Sequence, residues 1–160
     1  MRKPVSLPSF EYYLSKLSDN DETLVTVLKG HLVVEALLVE IIQLEFSKNN
    51  DFLSEKPWRW SFPQKVNWCI KNGYLTGNKG DALKDFNNVR NDFTHILGYQ
   101  LTFDRVLNLA DKFGNDEFSD ITLSKEWYEI NDVIIEILNI IFCDLALVLS
   151  EKGGADYMSQ

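Results

Sequence analysis

The chain has 160 residues, enough for one hydrophobic core and too few for two ordinary domains, so we expect a single domain over residues 1–160. We place its core at about residues 9–150 and a frayed tail at 151–160. Hydrophobic residues make up 45% of the sequence and charged residues 25%, which is near the average for soluble globular proteins and excludes a fibrous or disordered class. The net charge of −8 repels phosphate backbones at long range and excludes a general, non-specific DNA-binding protein.

The first part of the chain predicts a short helix, a long helix and a loop. Residues 9–18 place apolar side chains at i, i+3, i+4 and i+7, which is typical of one buried helix face. The apolar pattern of residues 24–46 runs almost all round a helix and therefore predicts a central position in a bundle. Residues 47–60 are polar, contain Pro57 and predict a loop.

Two helices are predicted between this loop and the middle of the chain. Ser61 and the proline that follows two residues later fit the start of a helix, and Gly73 fits its end. The turn-like sequence "YLTGNKGD" follows, and its Asp81 fits the cap of a helix over residues 82–97.

The last third of the chain predicts two more helices. Thr102 and Gly114 fit the two ends of one helix, and residues 124–150 carry the wide apolar stripe of a second long one. The segment "DITL" between them also fits a short strand. Together these patterns predict an all-α bundle of about five to six helices, two of them long.

Neither long apolar segment is predicted to cross a membrane, because both contain several charged residues. The N-terminal sequence has prolines where a secretory signal would need an apolar run, so we expect a cytoplasmic protein. Cys69 and Cys143 lie in apolar helical patterns without metal-ligand spacing, which predicts two buried thiols in a reducing compartment. Gly-rich phosphate loops and metallohydrolase motifs are also missing, so we expect no cofactor and no metal.

One face of the helix predicted at residues 82–97 carries polar side chains that are suited to proton transfer. At about 100° per residue, the apolar stripe and a polar row fall on separate faces of this helix. The apolar stripe consists of Leu83, Phe86, Val89, Phe93, Ile96 and Leu97, and the polar row of Lys84, Asn88, Asn91 and His95. Asn91 lies one turn before His95 and could orient its ring for proton transfer. The alternative is a solvated surface histidine without a role.

Arg90 falls at the edge of the apolar stripe and needs an anionic partner. Glu35 and Glu40 are the natural candidates, since a carboxylate in a largely apolar helix is costly unless it is paired. The alternative is a purely structural ion pair. His31 lies one turn before Glu35, so it joins this supporting network or is a hydrogen-bonded core residue.

The segment "VRNDFTH" resembles the signature of the HEPN superfamily, an arginine, a polar residue, three further residues and a histidine, here Arg90, Asn91 and His95. The segments "GHLVVEALLVEII", "KVNWCIKNGYL" and "ALKDFNNVRNDFTH" follow one another as in HEPN-like proteins of the mannitol operon repressor group. The similarity covers roughly residues 24–110.

The resemblance implies a helical bundle that dimerises with its two motif-bearing helices facing each other. In catalytic members such a site cuts RNA without a metal, by attack of the 2′-hydroxyl group. Carried over to this chain, His95 is the acid/base group, Arg90 stabilises the phosphorane charge, and Asn91 orients the site or binds phosphate. On a straight helix Arg90 and His95 lie about 140° apart, so a two-fold dimer makes a shared cleft easier to build.

Three functions remain open on the sequence. The complete Arg-Asn-His set favours a HEPN ribonuclease, acting as a toxin or phage-defence effector on RNA and held in check by a protein partner such as an antitoxin. The acidic composition favours a non-catalytic regulatory or scaffolding protein similar to the mannitol operon repressor group. The third is a helical homodimer whose motif only supports the fold.

Overall fold

The computed structural model describes residues 23–48, 56–96, 99–114 and 129–159. These residues form five α-helices and one short 3-10 turn, without a strand. In chain order the helices are α1 Thr23–Lys48, α2 Phe62–Lys71, α3 Gly77–His95, α4 Phe103–Phe113 and α5 Ile130–Glu151, and the turn is Pro57–Arg59. The predicted all-α bundle is confirmed, and α1 and α5 are its two long helices, with 26 and 22 residues. The helix predicted at 9–18 and the strand considered at "DITL" lie outside the described residues.

Helix α2 begins and ends at the residues that its sequence predicts. The backbone N–H of Gln64 donates to the Ser61 hydroxyl over 3.3 Å, and the Ser61 N–H donates to the Gln64 side chain over 2.7 Å, which completes a capping box. Gly73 follows the helix with a φ of +78°, a conformation that favours glycine.

Helix α3 begins five residues earlier than predicted. Its cap is Thr76, whose hydroxyl accepts the N–H of Lys79 over 3.3 Å, and Asp81 lies inside the helix. Two glycines in the first turn made a loop the expected conformation, because glycine is a poor helix former. Gly80 is nevertheless helical and buried against α2, where an added Cβ would lie 2.2 Å from Cδ1 of Ile70. Close packing between helices therefore outweighs the low helix propensity.

The ends of α4 agree with the prediction. The start of the last predicted helix lies partly outside the described residues. The Thr102 hydroxyl accepts the N–H of Arg105 over 3.2 Å, and the helix stops before Gly114, whose φ is +141°. Helix α5 follows Glu129, whose N–H donates to the Asp132 carboxylate over 3.1 Å. The preceding residues of the predicted segment, 124–128, are not described.

Helix α1 lies at the centre, as its almost uniformly apolar sequence predicts, and packs against α2, α3 and α5. Gly30 of α1 lies so close to α5 that an added Cβ would be 2.4 Å from Cδ1 of Leu138. At the other end of the pair, the Lys48 ammonium donates to the backbone oxygen of Lys152 over 2.7 Å. The two long helices therefore run in the same direction.

The close approach at Gly30 predicts a difference between two glycine-to-alanine substitutions. Gly77 in the first turn of α3 has no atom within 4 Å of an added Cβ, whereas Gly30 does not have that space. Gly77→Ala should stabilise the fold by about 0.4–1 kcal/mol. Gly30→Ala should be less stable than Gly77→Ala by about 1–3 kcal/mol, because its methyl group overpacks the α1 and α5 contact. Urea unfolding of both variants measures the difference, and equal stabilities would contradict the packing.

The C-terminal segment packs onto α1, which differs from the frayed tail that we expect from the sequence. Tyr157 is buried, and its hydroxyl donates to the Glu40 carboxylate, with distances of 2.7 and 2.9 Å to the two oxygens. Helix α5 is the one described helix that is long and apolar enough to cross a membrane by length and composition alone, although its acidic residues argued against this. Half of its most apolar window is buried inside the described bundle.

The two cysteines are free thiols in different surroundings. Cys69 is buried as predicted, and burial raises its pKa to about 12. Cys143 is only partly buried, which corrects the prediction for this residue.

Candidate functional site

The three residues of the predicted site lie at the C-terminal end of α3. Arg90 is partly buried, and its Nη1 donates to Oδ1 of Asn91 over 3.0 Å. The ion pairs found among the described residues do not include Arg90. Its guanidinium therefore keeps a full positive charge that no described carboxylate offsets within salt-bridge distance.

His95 is exposed and is the last residue of α3. The carboxamide oxygen of Asn91 accepts from Arg90, and among the described residues no hydrogen bond joins Asn91 to His95. The structure thus assigns Asn91 to Arg90, where the sequence suggested that it orients the histidine.

The apolar stripe of α3 is buried in its first part and exposed at its end. Leu83, Phe86 and Val89 are buried, and Phe93 packs edge-on against Tyr99 with ring centroids 4.9 Å apart.

The prediction for the end of the stripe is wrong at Ile96, which is 51% exposed. Helix α3 ends at His95, and Ile96 has extended backbone angles, so it leaves the helical register on which the stripe depends. Leu97 lies outside the described residues.

Glu35 and Glu40 do not pair with Arg90. Glu35 forms an ion pair with Lys65 of α2, and Lys65 is fully buried and also donates to the backbone oxygen of Trp60 over 2.7 Å. Glu40 instead accepts the hydroxyl of Tyr157. The two carboxylates of the predicted supporting network are therefore engaged in separate contacts, one with α2 and one with the C-terminal segment.

The burial of Lys65 has a signal in the sequence that points to it. Lys65 falls within the stripe Phe62, Lys65, Val66 and Cys69, spaced i, i+3, i+4 and i+7, which is the buried face of α2. A lysine on such a face needs a buried acidic partner, and Glu35 on the central helix meets that need.

His31 is the hydrogen-bonded core residue that one of the two interpretations predicted. It is 4% exposed, and its ring centroid lies 4.5 Å from that of Phe62 and 6.0 Å from that of Phe86. Its Nε2 lies 2.8 Å from Oδ1 of Asn87, and because a carboxamide oxygen accepts, the neutral ring carries its proton on Nε2. Asn87 stands one turn before Arg90, so this bond ties the site end of α3 to the central helix.

The surroundings of His31 favour its neutral form. Burial lowers the pKa of the imidazole, against the opposing effects of the Asn87 hydrogen bond and the Glu35 charge. The positive charges of Arg90 and Lys65 lower this pKa further.

The lowered pKa of His31 predicts a loss of stability on mild acidification. In the unfolded chain the imidazole takes up a proton near pH 6.5, whereas the folded protein resists it, so the unfolded state binds more protons as the pH falls through that value. The free energy of unfolding should then decrease by up to about 1.4 kcal/mol per pH unit below pH 6.5 until the folded ring is protonated. Urea unfolding between pH 8 and 5 tests this, and His31→Gln should remove most of the slope. An identical slope in wild type and His31→Gln would contradict the prediction.

Helix α4 is fixed against α3 by a cluster of charges. Both Nη atoms of Arg105 donate to the Asp85 carboxylate, over 2.9 and 2.7 Å, and Lys112 donates to the same group over 2.9 Å. Burial alone would raise the pKa of Asp85, but the hydrogen bonds from Arg105 and Lys112 outweigh it and lower this pKa. Arg105 is thus committed to a structural ion pair, in contrast to Arg90 on the neighbouring helix.

The described residues contain no group of three or more His, Cys, Asp or Glu side chains placed to hold a metal ion. Comparisons of the chain with protein-family models, with curated proteins and with solved structures gave no match.

Proposed function

We propose that the chain is a metal-independent endoribonuclease of HEPN type whose site consists of Arg90, Asn91 and His95. The observation that carries the proposal is the state of Arg90, which is held by Asn91 and is not neutralised by any carboxylate in the described part of the chain. Such a guanidinium is suited to bind a phosphate through two parallel hydrogen bonds. An exposed histidine five residues later supplies a group for proton transfer.

The reaction that fits these groups is internal transfer at the phosphate of RNA. The 2′-hydroxyl oxygen attacks phosphorus and its proton goes to a base, while the bond from phosphorus to the 5′-oxygen breaks and that oxygen takes up a proton. The products are a 2′,3′-cyclic phosphate and a 5′-hydroxyl end. His95 serves as the proton-transfer group, and Arg90 stabilises the negative charge that develops on the phosphoryl oxygens.

The geometry of α3 favours a site shared between two copies of the chain. Arg90 and His95 are separated by about 140° around one helix, so their side chains point in different directions. In a two-fold dimer, Arg90 of one copy and His95 of the other can face the same cleft. We propose that the homodimer is the active form, that it acts as a toxin or phage-defence effector on cellular RNA, and that a protein partner restrains it.

The direct test is cleavage of RNA by the purified full chain in the presence of a chelator. We expect fragments that carry 2′,3′-cyclic phosphate and 5′-hydroxyl ends, and no cleavage of a 2′-O-methylated RNA or of DNA of the same sequence. Arg90→Ala should abolish cleavage, whereas Lys29→Ala, which removes an exposed cation of α1 outside the site, should leave cleavage unchanged. Cleavage that stops on chelation, or products with 3′-hydroxyl ends, would overturn the proposed chemistry.

Mixing two inactive variants tests whether the site is shared. If each cleft combines Arg90 of one copy with His95 of the other, a heterodimer of Arg90→Ala and His95→Ala chains has one intact cleft of two. Random exchange makes half of the dimers heterodimers, so the mixture should recover about a quarter of the wild-type activity. A mixture as inactive as its components would show that the two residues act within one chain.

A second function is favoured by a different observation. Leu24 and Leu32, two turns apart on α1, are 39% and 63% exposed, and such side chains are suited to contact another protein. A non-catalytic HEPN-like regulatory protein, similar to the mannitol operon repressor group, would use this surface. It would form a stable complex with a protein partner that survives His95→Ala and is lost in Leu32→Glu, and RNA would stay intact.

A further inference from the structure

The charges of the chain are distributed unevenly, and residues 56–80 are basic. This segment contains five lysines and arginines and no aspartate or glutamate, a net charge of +5 in a chain of −8, which leaves −13 for the other residues. It comprises the 3-10 turn, α2 and the start of α3, all of which the structure describes. A protein that is acidic overall therefore presents one basic segment.

Three of the five cations in this segment are available to a ligand. Lys56, Arg59 and Lys71 are exposed and take part in none of the ion pairs among the described residues. The other two are engaged, Lys65 with Glu35 and Lys79 with Asp144.

Four aromatic rings form a continuous row along the same segment and the facing part of α1. The ring centroids of Trp60 and Phe46 lie 6.0 Å apart, and those of Phe46 and Trp68 lie 5.6 Å apart. Trp68 then stacks on Tyr74 at 5.7 Å with an interplanar angle of 13°. Trp60, Phe46 and Trp68 are only partly buried, so parts of the row face solvent.

We propose that this basic aromatic face, formed by Lys56, Arg59, Trp60, Trp68 and Lys71, binds single-stranded RNA. Exposed cations complement the phosphates, and partly exposed indole rings offer stacking surfaces to unpaired bases. Proteins that bind single-stranded nucleic acids use this combination. A folded protein domain would be a poorer fit, because the face lacks the broad exposed apolar patch that such interfaces use.

The start of α2 and the end of α3 lie toward the same end of the bundle. Gly80 near the start of α3 packs on Ile70 near the end of α2, whereas Asn87, one turn before Arg90, is joined through the buried His31 to Phe62 at the start of α2. The two helices therefore run in opposite directions, and RNA held along α2 would extend toward the end of α3. As a statement about the substrate this inference rests on the proposed function, and it explains how an acidic ribonuclease retains RNA.

The test measures binding separately from cleavage. In a His95→Ala background, fluorescence anisotropy with a labelled 12-nucleotide RNA of mixed sequence gives the affinity at several salt concentrations. Substituting alanine at Lys56, Arg59 and Lys71 should weaken binding and reduce the slope of log K against log salt by about 2, since each phosphate contact on a single strand contributes about 0.7. A control that replaces Lys29, Lys84 and Lys112 removes the same charge from other helices and should retain most of the slope.

Tryptophan fluorescence measures the stacking of RNA bases on the indole rings. RNA should quench the tryptophan fluorescence of the His95→Ala protein, and Trp68→Leu should lower the affinity by about tenfold while circular dichroism verifies that the helices remain. Equal weakening by the two triple variants would show a pure net-charge effect and overturn the inference. Binding to vesicles containing phosphatidylserine without binding to RNA would overturn it in favour of a membrane surface.

The outcomes separate the two proposals. RNA bound by this face but never cut by the wild-type chain would refute the ribonuclease and keep the inference. RNA cut by the triple variant in the wild-type background with unchanged KM would refute the inference and keep the ribonuclease.

Discussion

Replacing His95 by alanine is expected to lower the rate of RNA cleavage by at least about 100-fold, because general acid/base groups typically contribute that much or more. The same substitution should change the free energy of unfolding by less than about 0.5 kcal/mol, since the side chain is exposed at the last residue of α3. The combination of a large catalytic effect and a small structural one distinguishes a catalytic histidine from one that only supports the fold.

The measurement combines single-turnover cleavage, urea unfolding and growth of a bacterial host that expresses the chain. Wild type should degrade RNA and arrest growth, and His95→Ala should do neither. Asn88→Ala is the matched control, because Asn88 is also exposed on the same polar row of α3 but lies outside the motif. Equal toxicity of wild type and His95→Ala, or intact RNA with both, would rule out the ribonuclease.

The helices and their ends were largely predictable because local chemistry determines them. The caps at Ser61 and Thr102 and the positive φ of Gly73 follow from the side chains at those positions. The start of α3 was not predictable in this way. It depends on how closely Gly80 packs against α2, a contact between residues of different helices that periodicity does not contain.

For the candidate site as well, features within one helix were predictable and contacts between helices were not. The pattern of α3 separated a buried face from a polar one within the helix, and it failed at Ile96, which follows the last helical residue. Partners on other helices were harder to predict. Glu35 forms an ion pair with Lys65 rather than with Arg90, and His31 is hydrogen-bonded to Asn87, which no sequence pattern indicated. Pairing across helices depends on the order in which they pack, which a single sequence leaves open.

The buried Lys65 predicts the largest effect on stability. Its ammonium has two partners, the Glu35 carboxylate and the backbone oxygen of Trp60, and it has no exposed surface. Glu35→Leu leaves this charge buried with only a neutral acceptor. Removing one member of a buried pair costs about 3–5 kcal/mol, and because Glu35 is 21% exposed we expect a loss near the lower end, about 3 kcal/mol.

Removing both charges should reverse most of that loss. Lys65→Met alone keeps the volume of the side chain and leaves Glu35 at a position that water reaches, so we expect a change of no more than about 1 kcal/mol. The double variant Glu35→Leu, Lys65→Met should accordingly be more stable than Glu35→Leu alone. Urea unfolding of the three variants gives the coupling energy of the pair. If the double variant is no more stable than Glu35→Leu, the cost arises from the loss of the carboxylate itself, and the uncompensated charge of Lys65 is not its cause.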